Sequence, residues 1–447
     1  MPTTSSGHAI VMGAGIAGLL AARVLRESYA RVTIVERDRL PAAAEPRPGV
    51  PHGRHGHLLT AGGRLVIDDL CPGFTQHLTR AGIKTLDVCR DVRMQFATGL
   101  APVTESGILV QPASRPLLET VLRDLTTQAD NVTVLEDRTV TGLVTEGHLR
   151  RVSGVQLRSG ERLPADLVVD ASGRTSHLRD WLCAHGAPRV PDTTVDVGFT
   201  CISRLYDAGD ADRAWAERFK PLLGPLFNPG QERGGFILPI ENNRVIVSLQ
   251  ERPGQQRFAD DAEFDQHASQ LHELYADVLT PLRPLSRPIR FGHTMTRLIQ
   301  YDAATWWPAG LIVVGDAVCT LNPIYAQGMT TAALHARLLR DTLAHGPITY
   351  RTREFQRRLR RQLAWPWLVA TSSDQAWIDH AKQNGAATAR LLDRFSCWYM
   401  DRWRDHIPHD PALYRAHMAM ANMVTGPAAL PALTARILRR PPRGLDG

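Results

Sequence analysis

The stretch "HAIVMGAGIAGLLAARVLRESYARVTIVERD", His8 to Asp38, leaves this chain few folds to choose from. His8 to Met12 reads as a short buried strand, Ile16 to Glu27 as a helix and Val32 to Val35 as a second strand that ends on Glu36. Gly13, Gly15 and Gly18 between strand and helix form G-x-G-x-x-G, and Glu36 closes the second strand. Each part has a physical task in dinucleotide binding. Gly13 permits the tight turn, Gly15 lets backbone approach a pyrophosphate, and Gly18 lets the helix pack close to the strand. The helix start, with Ile16 and Ala17, offers open N–H groups and a positive dipole to phosphate. Glu36 suits a ribose hydroxyl and would repel a 2′-phosphate.

With 447 residues the chain has room for two or three domains and a large core. A formal net charge of +7 admits an anionic ligand. The arginine-rich segment "RTREFQRRLRRQLAW" lacks interleaved aromatics and reads as a solvated helix, so no nucleic-acid partner is expected. Six cysteines form no C-x-x-C pair, which fits a reducing, cytoplasmic setting. The tail Met418 to Leu438 is apolar, but Gly426, Pro427 and Pro431 interrupt it, so no membrane span is expected.

Four later segments carry further signals. "EPRPGVPHGRHGHLL" is a loop with Arg47, His52, Arg54, His55 and His57. It lacks a metal-ligand pattern, so no metal is expected, and it reads as a basic loop near a pyrophosphate. "PASRPLLETVLRDL" reads as a helix from Pro112 to Leu125 with Ser114 and Arg115 at its start. Val132–Leu135, Thr139–Val144 and Val152–Leu157 read as strands, and "ADLVVDASGRT" as another strand, ending at Asp170. From Thr193 the pattern alternates with period two. Val195, Val197, Phe199 and Cys201 share a face, as do Phe236, Leu238 and Ile240, with a turn at Asn242-Asn243. That predicts an antiparallel sheet with one apolar face, suited to a greasy ligand. "GLIVVGDAVCTLNPIYAQGM" then brings an apolar strand to Gly315-Asp316 and a loop into a helix near Gly328.

In this order, the fingerprint, the Asp170 turn and Gly315-Asp316 resemble the FAD-dependent monooxygenases of the para-hydroxybenzoate hydroxylase fold. "GVPHGRHGHLL", "SRPLLE" and "GDAVCTLNPIYAQGM" are similar to the branch of bacterial polyether-pathway epoxidases and antibiotic-pathway oxygenases. The resemblance implies an α/β fold: a Rossmann-type FAD-binding domain (1–75, 105–185 and 290–345), an antiparallel-sheet substrate domain (76–104 and 186–289) and C-terminal helices (346–447). It implies an oxidoreductase that inserts one atom of O2, through a flavin C4a-hydroperoxide, into a hydrophobic substrate such as a polyketide. NADH or NADPH would supply electrons, directly or through a flavin reductase, and a carrier protein would be a further partner. Gly13, Gly15, Ile16, Ala17, Gly18 and Glu36 would hold the pyrophosphate and ribose, with Arg37 by the adenosine and the Val140 backbone by the adenine. Arg54 and Arg115 would meet the ribityl-phosphate region, Asp316 a ribityl hydroxyl or pyrophosphate water, and Gly328 and Met329 the flavin pyrimidine edge. No side chain emerges as a catalytic base. Two positions depart from the branch: Ala326 stands where glycine is usual, and Ala171 follows Asp170 where glycine is usual. Competing readings are a flavin-dependent halogenase, for which Lys84 is the available lysine but no W-x-W-x-I-P motif exists, and a flavin-binding cyclase or scaffold without oxygen transfer.

Overall fold

The computed structural model describes residues 5–96, 98–209, 221–224, 233–251, 261–292, 294–382, 405–426 and 434. Its first sheet is five-stranded and parallel, in the spatial order Leu311–Val313, Leu167–Asp170, β1 (Ser5–Met12), β2 (Tyr29–Val35), Val132–Leu135. These strands are nearly all apolar because both sheet faces are covered. Ile10, Val11, Ile34, Val168, Val169 and Ile312 have no measurable exposure. Each such side chain contributes about 1.5–3 kcal/mol by burial. Helix α1 (Ile16–Leu25) packs against the helices Arg115–Thr127 and Gly328–Leu343, and a small antiparallel sheet, Val140–Glu146, Arg151–Leu157 and Arg162–Pro164, lies against Leu167–Asp170.

Register decides what this sheet offers to a ligand. Met12 pairs with both Val35 and Asp170, and Asp170 pairs with Val313. Four carboxyl ends therefore stop level, and the residues after them, Gly13, Glu36, Ala171 and Gly315-Asp316, emerge along one edge. In open parallel sheets that edge is where ligands bind.

The second sheet is built on Thr200–Asp207, Arg244–Glu251 and Arg233–Ile240, all antiparallel, and continues through Leu222–Leu223 to Arg93–Phe96. Asn242 and Asn243, with φ of +60° and +55°, form the expected turn. The expectation of one apolar face needs correction. Ile202, Tyr206, Ile237, Val245, Val247 and Leu249 belong to a core cluster with Phe264, Ala268 and Tyr275 of the helices Asp261–Leu271 and Glu273–Leu279. The face read from the sequence, with Cys201, Phe236 and Leu238, is the opposite one, and it also carries Ser203, Ser248 and Gln250. Both faces are covered, so strict alternation in hydrophobicity is lost in "RVIVSLQE", whose last seven residues are all buried. Val195 lies in a separate three-stranded sheet, on strand Asp192–Val195, and Val197 lies between strands.

The basic segment forms the helix Thr352–Gln362, which buries Phe355, Gln356 and Leu359 and leaves Arg353, Arg357 and Arg361 exposed. Residues 383–404, 427–433 and 435–447 of the expected C-terminal region lie outside the described residues, as do Cys397 and most of the apolar tail. Among the described residues no helix is long and apolar enough to cross a membrane.

Candidate active site

The glycine turn is tight in the way the spacing demands. Gly13 has φ +100°, and its N–H donates to the Val35 carbonyl at 2.8 Å. A β-carbon there would lie 2.7 Å from the Ala171 carbonyl oxygen. At Gly18 a β-carbon would lie 1.9 Å from the Gly13 carbonyl, so only glycine lets α1 start here. Gly15 caps α1 in extended conformation without any side-chain bond to its first turn. Above Gly15 the nearest groups are guanidinium nitrogens, Arg115 Nη2 and Arg47 Nη2, 3.9 and 4.0 Å from where its β-carbon would be. Open helix N–H groups under two guanidinium ions have the chemistry that suits an anion.

Glu36 is 4% exposed. Its Oε2 accepts from the Ala14 N–H at 2.7 Å, its Oε1 from the Asp38 N–H at 3.0 Å, and Arg47 Nη1 lies 3.3 Å away. Arg47 is the hub of this end. It also donates to Asp38 at 2.8 Å and to Glu119 at 3.2 Å. Burial works against its charge, but Glu119 and Glu36 outweigh that and raise its pKa above the usual arginine value. Arg115, the first residue of its helix, donates to Glu119 at 2.7 Å. Ser114 caps that helix and donates to Glu241 in the turn of the second sheet, which holds the helix start. Arg37 and Arg54 are exposed. Arg37 makes a 3.4 Å bond to the Gly49 carbonyl. Val140 opens a strand, and just before it the Arg138 N–H donates to the Glu36 carbonyl at 2.9 Å.

At the other end, Asp316 sits in a short turn, Gly315–Ala317, with Arg174 Nη2 3.5 Å from its Oδ2. Gly315 has φ +64°, and a β-carbon would press Ala17 at 2.6 Å. Its N–H donates to His335 Nδ1 at 3.0 Å. His335 is fully buried, and burial pushes its pKa down to about 3, which keeps the accepting nitrogen bare. Gly328 begins the helix Gly328–Leu343, 3.9 Å from Asp316 Oδ1 measured from its would-be β-carbon, and Met329 is buried beside it. Ala326 adopts φ +54°, ψ +23°, the left-handed conformation for which glycine is the usual choice. The methyl group leaves the turn in glycine's geometry and adds strain of about 1–2 kcal/mol.

The preceding loop is pinned from the helix Ala364–Lys382. Buried Asp374 accepts from Thr296 Oγ1 at 2.6 Å, Tyr325 OH at 2.7 Å and Asn322 Nδ2 at 3.0 Å. Asp170 is used differently: fully buried, it accepts from Ser172 and Ser176 of its own turn. The loop read as basic is so only through its arginines. Burial lowers His55 to about 4 and His57 to about 3, and holds His52 lower still, leaving all three neutral. Among the described residues no group of three or more His, Cys, Asp or Glu side chains is arranged to hold a metal ion.

Three features escaped the sequence reading: Arg174 on Asp316, the Asp374 clamp, and His55 in contact with the second sheet. Arg174 follows the recognised Asp170 turn, which was the one available signal. Asp374 lies in a helix without a motif, and the partner of His55 is 148 positions away.

The cradle, its arginines and the strand-tip acids fit FAD. Fold and site together define an FAD-dependent monooxygenase of the para-hydroxybenzoate hydroxylase fold. The chain belongs to the FAD binding domain family, which it matches over residues 7–346. It is 33% identical to protein Rv3254 of Mycobacterium tuberculosis, over 75% of this chain and 73% of that one. It is 26% identical to 6-methylpretetramide 4-monooxygenase of Streptomyces rimosus, over 75% of each chain. Among solved structures it resembles a flavoprotein/dehydrogenase from Cytophaga hutchinsonii, with TM-score 0.67, 14% identity and coverage of 97% and 99% of the two chains. The flavin-dependent brominase Bmp2 gives TM-score 0.63 at 14% identity, over 94% of this chain and 100% of that one. These two likenesses concern the fold alone.

Proposed function

We propose that this protein transfers one oxygen atom of O2 to a hydrophobic secondary metabolite such as a polyketide, by epoxidation or hydroxylation. The observation that carries this reading is the level edge of the first sheet, where Gly15 and Glu36 lie by the guanidinium ions of Arg47 and Arg115 and Asp316 lies by that of Arg174. The related Streptomyces protein is named as a monooxygenase of 6-methylpretetramide, which supports the substrate class. FAD, when bound and reduced, supplies the activation of O2.

On this reading the chain's own residues bind and orient. Gly13, Gly15, Ile16, Ala17 and Gly18 cradle the pyrophosphate, with Arg115 and Arg47 above it. Glu36 takes the ribose, and Arg37 and the Val140 backbone border the adenosine. Arg54 and Asp316 serve the ribityl chain, and Gly328 and Met329 meet the pyrimidine edge, where the helix dipole favours negative charge. The division into FAD-binding segments 1–75, 105–185 and 290–345, and a substrate domain of 76–104 and 186–289, follows the same reading. Electrons come from NADH or NADPH, directly or through a reductase, in the cytoplasm.

The test is direct. The purified protein should be yellow with bound flavin and, given NADH or NADPH and candidate polyketides under isotopically heavy O2, should place the heavy atom in product. Failure to bind added FAD would sink the reading. Product formed only with chloride or bromide would favour a halogenase, the second reading, which the brominase fold recommends and the exposed position of Lys84 does not. Flavin without oxygen incorporation would favour a cyclase or scaffold.

A further inference from the structure

His55 stands in the loop that leads from Arg47 toward the helix Gly328–Leu343, and it is 6% exposed. Its Nδ1 lies 2.8 Å from Ser203 Oγ, and Ser203 Oγ lies 2.5 Å from Ser248 Oγ. Ser203 and Ser248 are paired residues on adjacent strands of the second sheet, on the face turned away from its helices. Among the described residues His55 Nε2 has no hydrogen-bond partner, and it is closed to solvent. A buried acceptor without a donor is disfavoured, and an O–H group placed against this nitrogen would supply one.

The surroundings place His55 between the two halves of the site. Its ring is 5.6 Å from that of Phe291, centroid to centroid. Phe291 lies under the Arg174 guanidinium at 5.4 Å, and Arg174 is paired with Asp316. Five residues on, Thr60 Oγ1 is 2.6 Å from Thr330 Oγ1 in the first turn of the helix Gly328–Leu343. Among the described residues the other ionisable groups on or about this loop include Arg47, His52, Arg54, His57, Arg115 and Arg174. His57 donates from Nδ1 to the His55 carbonyl at 2.9 Å, which fixes its tautomer.

We propose that His55, backed by Ser203 and Ser248, takes up and returns the proton of an ionisable hydroxyl on the substrate. This rests on the monooxygenase reading above and adds to it a proton-handling side chain and a substrate feature: a phenolic or enolic O–H beside the carbon to be oxidised. In the step, the substrate O–H bond breaks, the oxygen keeps the electron pair, and an Nε2–H bond forms. Ser203 Oγ accepts from Nδ1–H while its own hydroxyl donates to Ser248, so the imidazolium is held in place. Proton transfer leaves the buried volume with no net change in charge, which is what a dry site tolerates. Burial keeps the ring neutral in the free protein, so its lone pair is available, and the oxyanion formed beside it offsets the burial that otherwise disfavours the imidazolium.

The test uses the FAD-loaded protein and para-nitrophenol, whose phenolate absorbs visibly, at a pH where the free probe is mostly protonated. The wild-type protein should bind the probe as phenolate. In His55→Asn, whose side-chain nitrogen can still reach Ser203, the bound phenolate fraction should fall about tenfold, one pKa unit's worth. Ser203→Ala should lower it less. Equal phenolate fractions in wild type and His55→Asn, or no binding of the probe to the wild type, would overturn the proposal. Should His55→Asn not retain wild-type circular dichroism and flavin content, His55→Gln decides by the same readout. No O2 or electron donor is needed, so failure here is distinct from failure of oxygen incorporation.

Discussion

A β-carbon added to Gly18 would stand 1.9 Å from the carbonyl oxygen of Gly13. The two glycines are one contact, made between the turn proposed to receive phosphate and the helix that points at it. Gly18→Ala forces them apart. The expected result is a loss of about 3 kcal/mol in stability and of most bound flavin, read by urea unfolding and by the flavin-to-protein absorbance ratio.

Asp316 meets Arg174 and stands at the start of the helix Gly328–Leu343. Asp316→Ala should weaken FAD about tenfold or more, the effect of losing one charge-assisted hydrogen bond of about 1.5–3 kcal/mol. Fluorescence titration of the apoprotein measures it. Unchanged affinity would remove Asp316 from the cofactor site.

Ala326 offers a test in the stabilising direction. Glycine there relieves left-handed strain but adds freedom to the unfolded chain, and the difference is a gain of about 0.5 kcal/mol. Ala326→Val should instead destabilise by about 1 kcal/mol or more, because branching at the β-carbon worsens the same clash. Paired urea midpoints on the FAD-loaded variants decide the sign.

The buried histidines predict acid sensitivity. His335 and His57 titrate near 3 in the folded protein and near 6.5 when unfolded. The unfolded chain therefore binds more protons between those values, and stability falls as pH drops from about 6.5 toward 3. Above 6.5 this contribution is flat. Melting temperature followed against pH should show that profile, and His335→Gln should make it shallower. His335 also accepts the Gly315 N–H, so flavin release should accompany the acid decline.

Asp374 takes three hydrogen bonds. Asp374→Ala removes the acceptor that Thr296, Asn322 and Tyr325 share. A cost of about 3 kcal/mol or more is expected, with faster proteolysis in the loop before Gly328.

How much of this was legible beforehand follows from the distance over which each interaction acts. The β1–α1–β2 unit was readable because its glycines, strands and acid all act within 29 residues of sequence, and the helix Arg115–Thr127 announced itself through Ser114. The second sheet was legible as strands but not by face, since burial on both sides erases the alternation that names an inner side. Arg47 appeared only as one charge in a loop. Its meaning needs Glu36, Asp38 and Glu119 together, and a linear sequence does not bring those three to one guanidinium. Ala326 looked like a departure from a glycine pattern, yet the backbone kept the glycine conformation, because the Asp374 clamp and the helix start fix it from both sides.

The strand order of the first sheet bears on how the protein is made. The edge strand Leu311–Val313 is the last of the five to be synthesised, and it pairs beside Leu167–Asp170, laid down some 140 residues earlier. A nascent chain that has already displayed its glycine turn still lacks Asp316 and the helix that follows. On the proposed cofactor contacts, tight flavin capture is expected late in biogenesis, and a ribosome-stalled fragment ending near residue 300 should leave flavin in solution while the chain continued past the Gly328–Leu343 helix retains it.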